Sequence, residues 1–102
     1  MLFNIEFNET DKLYVKVSGD LDINNIAKLR EEVLVQYEDI DKDIVFDFID
    51  LDYIDSTGLG VLISVYKRVK EKDNQIYIKN AKKNIKKLFY ITEPDQIFKL
   101  ED

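Results

Sequence analysis

Apolar residues at every second position open the chain: Phe3, Ile5 and Phe7, then Leu13, Val15 and Val17 after the polar turn Asn8-Glu9-Thr10-Asp11. Alternation puts each trio on one side of an extended chain, so the pattern predicts a β-hairpin with one buried face. Ser18-Gly19-Asp20-Leu21-Asp22 suits an exposed loop, and Asn24 and Asn25 extend it. There the period changes. Ile26, Leu29, Val33, Leu34 and Tyr37 recur at helical spacing. They predict a first helix that starts at Asn24 or Asn25, where a side-chain amide can cap it, and ends near Glu38.

The run Glu38-Asp39-Ile40-Asp41-Lys42-Asp43 is a solvated connection into Ile44-Val45-Phe46-Asp47-Phe48-Ile49, whose β-branched and aromatic content predicts a strand covered on both faces. From Val61 to Lys72 the period is again helical, with Leu59, Leu62, Ile63, Tyr66 and Val69 on one face and Lys67, Arg68, Lys70, Glu71 and Lys72 on the wet side. Val61 and Val65 widen the apolar arc, where they either border a docking patch or pack against a loop. A turn at Lys72-Asp73-Asn74-Gln75 leads to a short strand, Ile76-Tyr77-Ile78. A third helix carries Ala81, Ile85, Leu88 and Phe89 inward, with Lys82, Lys83, Lys86 and Lys87 on a solvated side. Pro94 closes it, and Gln96-Ile97-Phe98-Lys99-Leu100 reads as a last strand. The predicted order is ββαβαβαβ, an α/β fold whose mixed β-sheet is connected by crossover helices, in one domain over residues 1–102.

Composition narrows the chemistry. The 102 residues contain no cysteine and no histidine, so there is no thiol nucleophile, no thiolate metal site and no general base of the usual kind. A net charge of −6 argues against a nucleic-acid partner. Residues 1–60 hold 5 basic and 15 acidic side chains, a balance of −10, whereas residues 61–102 hold 10 and 6, a balance of +4. The N-terminus has no basic region followed by an apolar run, and no stretch reaches membrane-spanning length, so a cytoplasmic protein is expected, with no membrane partner.

One stretch stands out, Asp55-Ser56-Thr57-Gly58-Leu59-Gly60, at the passage from strand to second helix. Ser56 falls where an N-cap belongs, since its oxygen can accept from the free N–H groups of the first turn. Most such hydroxyls are only caps. Here glycines at 58 and 60 also strip the turn of side chains, leaving a hydroxyl at the positive end of a helix, open to another protein or a phosphate. The acidic series Asp47, Asp50, Asp52 and Asp55 does not match a calcium loop, because the turn glycine would be Asp55, and solvated carboxylates are expected rather than a metal. A serine hydrolase is excluded by Ile54 where a nucleophile elbow needs glycine and by the missing histidine. A P-loop lacks its Gly-Lys-Ser/Thr ending. A receiver domain phosphorylated on aspartate has only the carboxylate cluster in its favour.

Across essentially its whole length the chain resembles the STAS-domain anti-sigma factor antagonists, small bacterial proteins of partner-switching pathways in general stress and sporulation. The likeness is carried by Gly19-Asp20-Leu21-Asp22, by Tyr53-Ile54-Asp55-Ser56-Thr57-Gly58-Leu59-Gly60-Val61-Leu62, and by Lys87-Leu88-Phe89-Tyr90-Ile91-Thr92. Ser-Thr after Asp is most similar to the general-stress members. The resemblance implies a non-enzymatic transcription regulator without cofactor. Its unphosphorylated form binds an anti-sigma factor that is also a serine kinase and so releases the sigma factor. Phosphorylation of the residue matching Ser56 inactivates it, and a PP2C-type phosphatase restores it. Thr57 is then the neighbouring hydroxyl. The implied partner surface is Asp22, Asn24 and Asn25 with Asp55, Ser56, Thr57, Gly58, Leu59 and Gly60, on a monomer or weak dimer. The alternative is a STAS docking subunit of a stress-signalling scaffold or lipid-transport complex. Two positions depart from the family: Asp73-Asn74 stands where Gly-Gly often precedes the fourth strand, and Glu93-Pro94 where Gly-Leu often follows the third helix.

Overall fold

The computed structural model describes residues 2–92 and 97–101. Alternation at the start of the chain produces β1 (Asn4–Glu9) and β2 (Leu13–Leu21), paired antiparallel from Asn4↔Ser18 to Glu9↔Leu13. Helical periodicity produces α1 (Ile26–Tyr37), followed by β3 (Ile44–Asp47), β4 (Leu51–Ile54), α2 (Ser56–Glu71), β5 (Ile76–Lys79), α3 (Lys83–Thr92) and β6 (Phe98–Glu101). The order is ββαββαβαβ, one strand more than the sequence pattern suggested. The main sheet runs β1-β2-β3-β5-β6, and every pair after the first is parallel, which is the geometry that crossover helices impose.

The extra strand arises from a division of β2. Its first half, Leu13 to Lys16, pairs with β3, while Gly19 to Leu21 pair with β4. The register shifts between Gly19 and Asp20, and Gly19 has φ +91, where a side chain would also lie 3.0 Å from the backbone of Phe3. A bulge at a glycine bends the strand toward its second partner. Residues 18–21 of the expected loop are therefore strand, only Asp22 lies beyond it, and Leu21 is buried. The expected strand 44–49 stops at Asp47, whose carboxylate accepts the Ile49 N–H at 3.1 Å, and Leu51 N–H closes a turn onto Phe48 C=O.

Leu13, Val15 and Val17 face Leu29 and Val33 of α1, Leu62 and Val65 of α2, and Ile85 and Phe89 of α3 in one core. Among the described residues the opposite face of the sheet is covered by side chains. Tyr14, Val45 and Tyr77 form one cross-strand row and Lys16, Asp47 and Lys79 the next. Lys79 Nζ lies 5.4 Å from the Tyr14 ring centroid and Lys12 Nζ 5.8 Å from that of Tyr77. Val45 is thus buried on a face that carries no helix, which satisfies the expectation of a strand covered on both sides. Phe98 of β6 stacks edge-on against Phe89 and Tyr66, closing the far end.

Several surface expectations change. Val61 and Val65 are buried in the core. Lys72 is not on a wet face: its ammonium donates to Tyr37, Glu38 and Ile40 C=O at 3.0, 3.0 and 2.7 Å and sits 4.6 Å from the Tyr37 ring centroid. Lys82 likewise donates to Ile49 and Leu51 C=O, both at 3.0 Å. Ala81 precedes α3 rather than belonging to it, and β6 begins at Phe98; Pro94 and Gln96 lie outside the described residues. Among the described residues no helix is long and apolar enough to cross a membrane.

Candidate functional site

Leu21 at the end of β2 pairs in parallel with Ile54 at the end of β4, so the two following segments leave the sheet side by side. One is the loop 22–25 and the other is the turn into α2. The first turn of α2 packs on the two strand ends at Gly58, where an added Cβ would lie 2.4 Å from Leu21 C=O and 2.8 Å from Ile54 Cγ1. Only glycine lets α2 begin against the end of β2. The Asp22 loop and the Ser56 turn therefore leave the sheet from adjacent strand ends.

The cap of α2 is Asp55, one residue earlier than the spacing suggested. Its backbone is extended (φ −113, ψ −173), and its Oδ1 accepts the Gly58 N–H at 3.0 Å and the Thr57 hydroxyl at 2.6 Å. Aspartate and serine are both good caps, but a carboxylate also complements the positive helix end and makes the stronger, charge-assisted bond. The Thr57 hydroxyl, and after it the Gly58 N–H, hold the Asp55 carboxyl below the ordinary carboxylate value. Ser56 becomes the first helical residue. It is exposed, and among the described residues its hydroxyl has no hydrogen-bond partner. Thr57 is equally exposed, but its hydroxyl is engaged.

The neighbouring loop is a compact turn. Asp22 Oδ1 accepts the Asn24 N–H at 3.0 Å, and Asp22 C=O accepts from Asn25 and Ile26 N–H at 2.9 and 3.1 Å. Asn25 occupies the cap position of α1 without capping it. Its amide donates instead to Asp20 C=O at 2.8 Å, tying the loop back to β2. Of the predicted surface residues, Gly58 and Leu59 are buried and serve packing, because α2 needs that side to reach the core. Asp22, Asn24, Asn25, Asp55, Ser56, Thr57 and Gly60 remain accessible, and around Gly60 an added Cβ would meet nothing within 4 Å. Sequence reasoning overlooked Ile23 at 67% exposure and gave no surface role to Tyr53 at 47%. A large apolar residue between Asp22 and Asn24, inside a polar loop, was the available signal.

The carboxylates of the acidic series diverge. Asp47 accepts from Asn80 Nδ2 at 3.0 Å, Asp50 pairs with Lys16 at 3.2 Å, Asp52 with Lys82 at 3.6 Å, and Asp55 caps α2. Each has its own partner.

The STAS domain family model matches residues 3–102. An anti-sigma-B factor antagonist of Staphylococcus aureus is 37% identical over 93 residues, covering 90% of this chain and 86% of that one. The fold is also that of an anti-sigma factor antagonist from Mycobacterium paratuberculosis (TM-score 0.84, 18% identity, 97% of this chain and 85% of that one). It is shared by the Bacillus cell fate determinant SpoIIAA in its phosphorylated form (TM-score 0.71, 16% identity, 99% and 92%).

Proposed function

The chain belongs to the STAS domain family, and we propose that it works there as an anti-sigma factor antagonist switched by phosphorylation of Ser56. The unphosphorylated form binds an anti-sigma factor that is also a serine kinase, and the sigma factor is released. The kinase transfers the γ-phosphoryl group of ATP to Ser56, which ends the binding, and a PP2C-type phosphatase reverses the mark. The protein contributes a surface rather than catalysis, and nucleotide belongs to the kinase. The observation that carries the switch is the exposed, unpartnered Ser56 hydroxyl on the first turn of α2, beside the Asp22 loop.

Electrostatics supports the same reading. A phosphate adds about −1.5 to −2 charges at neutral pH. At a helix N-terminus the fold tolerates it, because peptide N–H groups and the dipole favour negative charge there. Under a partner it must be desolvated next to Asp55, which costs binding free energy. Ile23 in the loop and Tyr53 shortly before the cap of α2 supply exposed apolar area.

The test is intact-mass analysis and peptide mapping after incubation with ATP and the serine-kinase anti-sigma factor, with Ser56→Ala as control. A single phosphate on Ser56, absent from the alanine variant, is the expected result. No phosphate on folded protein with an active kinase present would instead favour a docking subunit of a scaffold or transport complex.

A further inference from the structure

Two hydroxyls follow one another on the first turn of α2, and both are exposed. They differ in one respect. The Thr57 O–H donates to Asp55 Oδ1 at 2.6 Å, while Ser56 has no partner among the described residues. Resting on the phosphoserine reading, we infer that Asp55 is the positioning residue that directs modification to Ser56, by holding the Thr57 hydroxyl in a bond that must break before Thr57 can react.

Phosphoryl transfer requires the hydroxyl oxygen to form a bond to the γ-phosphorus of ATP in line with the departing group. The bond from that phosphorus to the β–γ bridging oxygen breaks, ADP leaves with the electron pair, and the hydroxyl proton passes to a base of the kinase. Ser56 meets these demands by rotation about its side chain alone. Thr57 has its proton aimed at Asp55, away from any base on the kinase, and its β-methyl restricts rotation further. A bond to a carboxylate is roughly twice as strong as one between neutral groups, so releasing it disfavours Thr57 by about tenfold or more. Asp55 does not activate Thr57 as a base either, because the two bonds it accepts stabilise its charged form and make it a weak proton acceptor. The carboxylate that caps the helix thereby also distinguishes the two hydroxyls.

The experiment is phosphosite mapping of the full chain with ATP and the serine-kinase anti-sigma factor, comparing wild type, Asp55→Gly, Asp55→Asn and Ser56→Ala. Glycine is a tolerable cap, so Asp55→Gly removes the acceptor with little loss of helix. Wild type should carry its phosphate predominantly on Ser56, with a small share on Thr57. In Asp55→Gly the share on Thr57 should rise about tenfold, and Asp55→Asn, which keeps a side-chain oxygen for Thr57 and Gly58, should restore Ser56 as the site. Ser56→Ala with Asp55 intact should modify Thr57 at least about tenfold more slowly than wild type modifies Ser56, a readout that does not depend on how the glycine variant folds. Phosphate confined to Ser56 in Asp55→Gly, or Thr57 modified at the wild-type rate in Ser56→Ala, would overturn the role of Asp55 while leaving the phosphoserine switch standing. Wild type with no phosphate on either hydroxyl would overturn both.

Discussion

Two glycines of one helical turn, Gly58 and Gly60, carry opposite consequences although the sequence presents them alike. An added methyl at 58 would lie 2.4 Å from Leu21 C=O and 2.8 Å from Ile54 Cγ1, and a backbone oxygen cannot yield as a side-chain tip can. Gly58→Ala should therefore lose about 2 kcal/mol despite the better helix propensity of alanine, lowering the melting temperature by roughly 10 °C. At 60 nothing stands within 4 Å, so Gly60→Ala should gain up to about 1 kcal/mol from propensity alone. Thermal unfolding of the two single variants checks the contrast, and equal shifts of either sign would show that α2 is not seated against β2 as described. The sequence marked both glycines as openings for a partner. Only the second stands open, because the first is filled by the end of a neighbouring strand that local pattern does not reveal.

At the scale of elements, the first helix is finished by a residue from the second. The last carbonyls of α1 have no acceptor role within the helix, and Lys72 takes Tyr37 C=O, Glu38 C=O and Ile40 C=O together while its charge lies over the Tyr37 ring. The turn that places it needs Asp73 at φ +60, a left-handed position that aspartate accepts more readily than most residues. Asp73 thus makes this turn without a glycine. Lys72→Met keeps the stem and removes the donors. It should cost about 1–3 kcal/mol in urea unfolding, with the loss of amide protection greatest at the end of α1. A uniform loss of protection would mean that Lys72 supports the core and not the helix end. Legibility at this scale follows from range. Helix and hairpin periods are local, and they read correctly for β1, α1, α2 and α3. The strand β4 was invisible because Leu51-Asp52-Tyr53-Ile54 shows neither alternation nor an apolar run, with only its two end residues buried. Its existence depends on the bulge at Gly19, more than thirty residues away. Lys72 and Lys82 read as solvent-facing for the same reason: their acceptors are backbone carbonyls that only the folded chain supplies.

For the molecule as a whole, the charge asymmetry along the chain does not become a simple bipolar surface. Lys82 from the basic part pairs with Asp52 of the acidic part, and Lys72 lies against the carbonyls of α1. The strand ends and turn leading to Ser56 carry Asp20, exposed, and Asp22 and Asp55, half-buried. A further negative charge at 56 is then nearly neutral for folding. The helix dipole favours it by about 0.3–1 kcal/mol and the neighbouring carboxylates oppose it by a similar amount. For binding the balance differs, since closing a partner over the site removes the water that screens those carboxylates from the new charge. Ser56→Asp should accordingly unfold within about 0.5 kcal/mol of wild type, yet bind the anti-sigma factor at least about tenfold more weakly by titration calorimetry. Ser56→Asn, matched in size and uncharged, separates charge from bulk. Near wild-type binding of the asparagine variant beside weak binding of the aspartate variant is the expected pair. Equal weakening of the two would make the block steric, so that phosphate would act by its volume at the contact between α2 and the partner instead of by the field it adds to an already acidic surface.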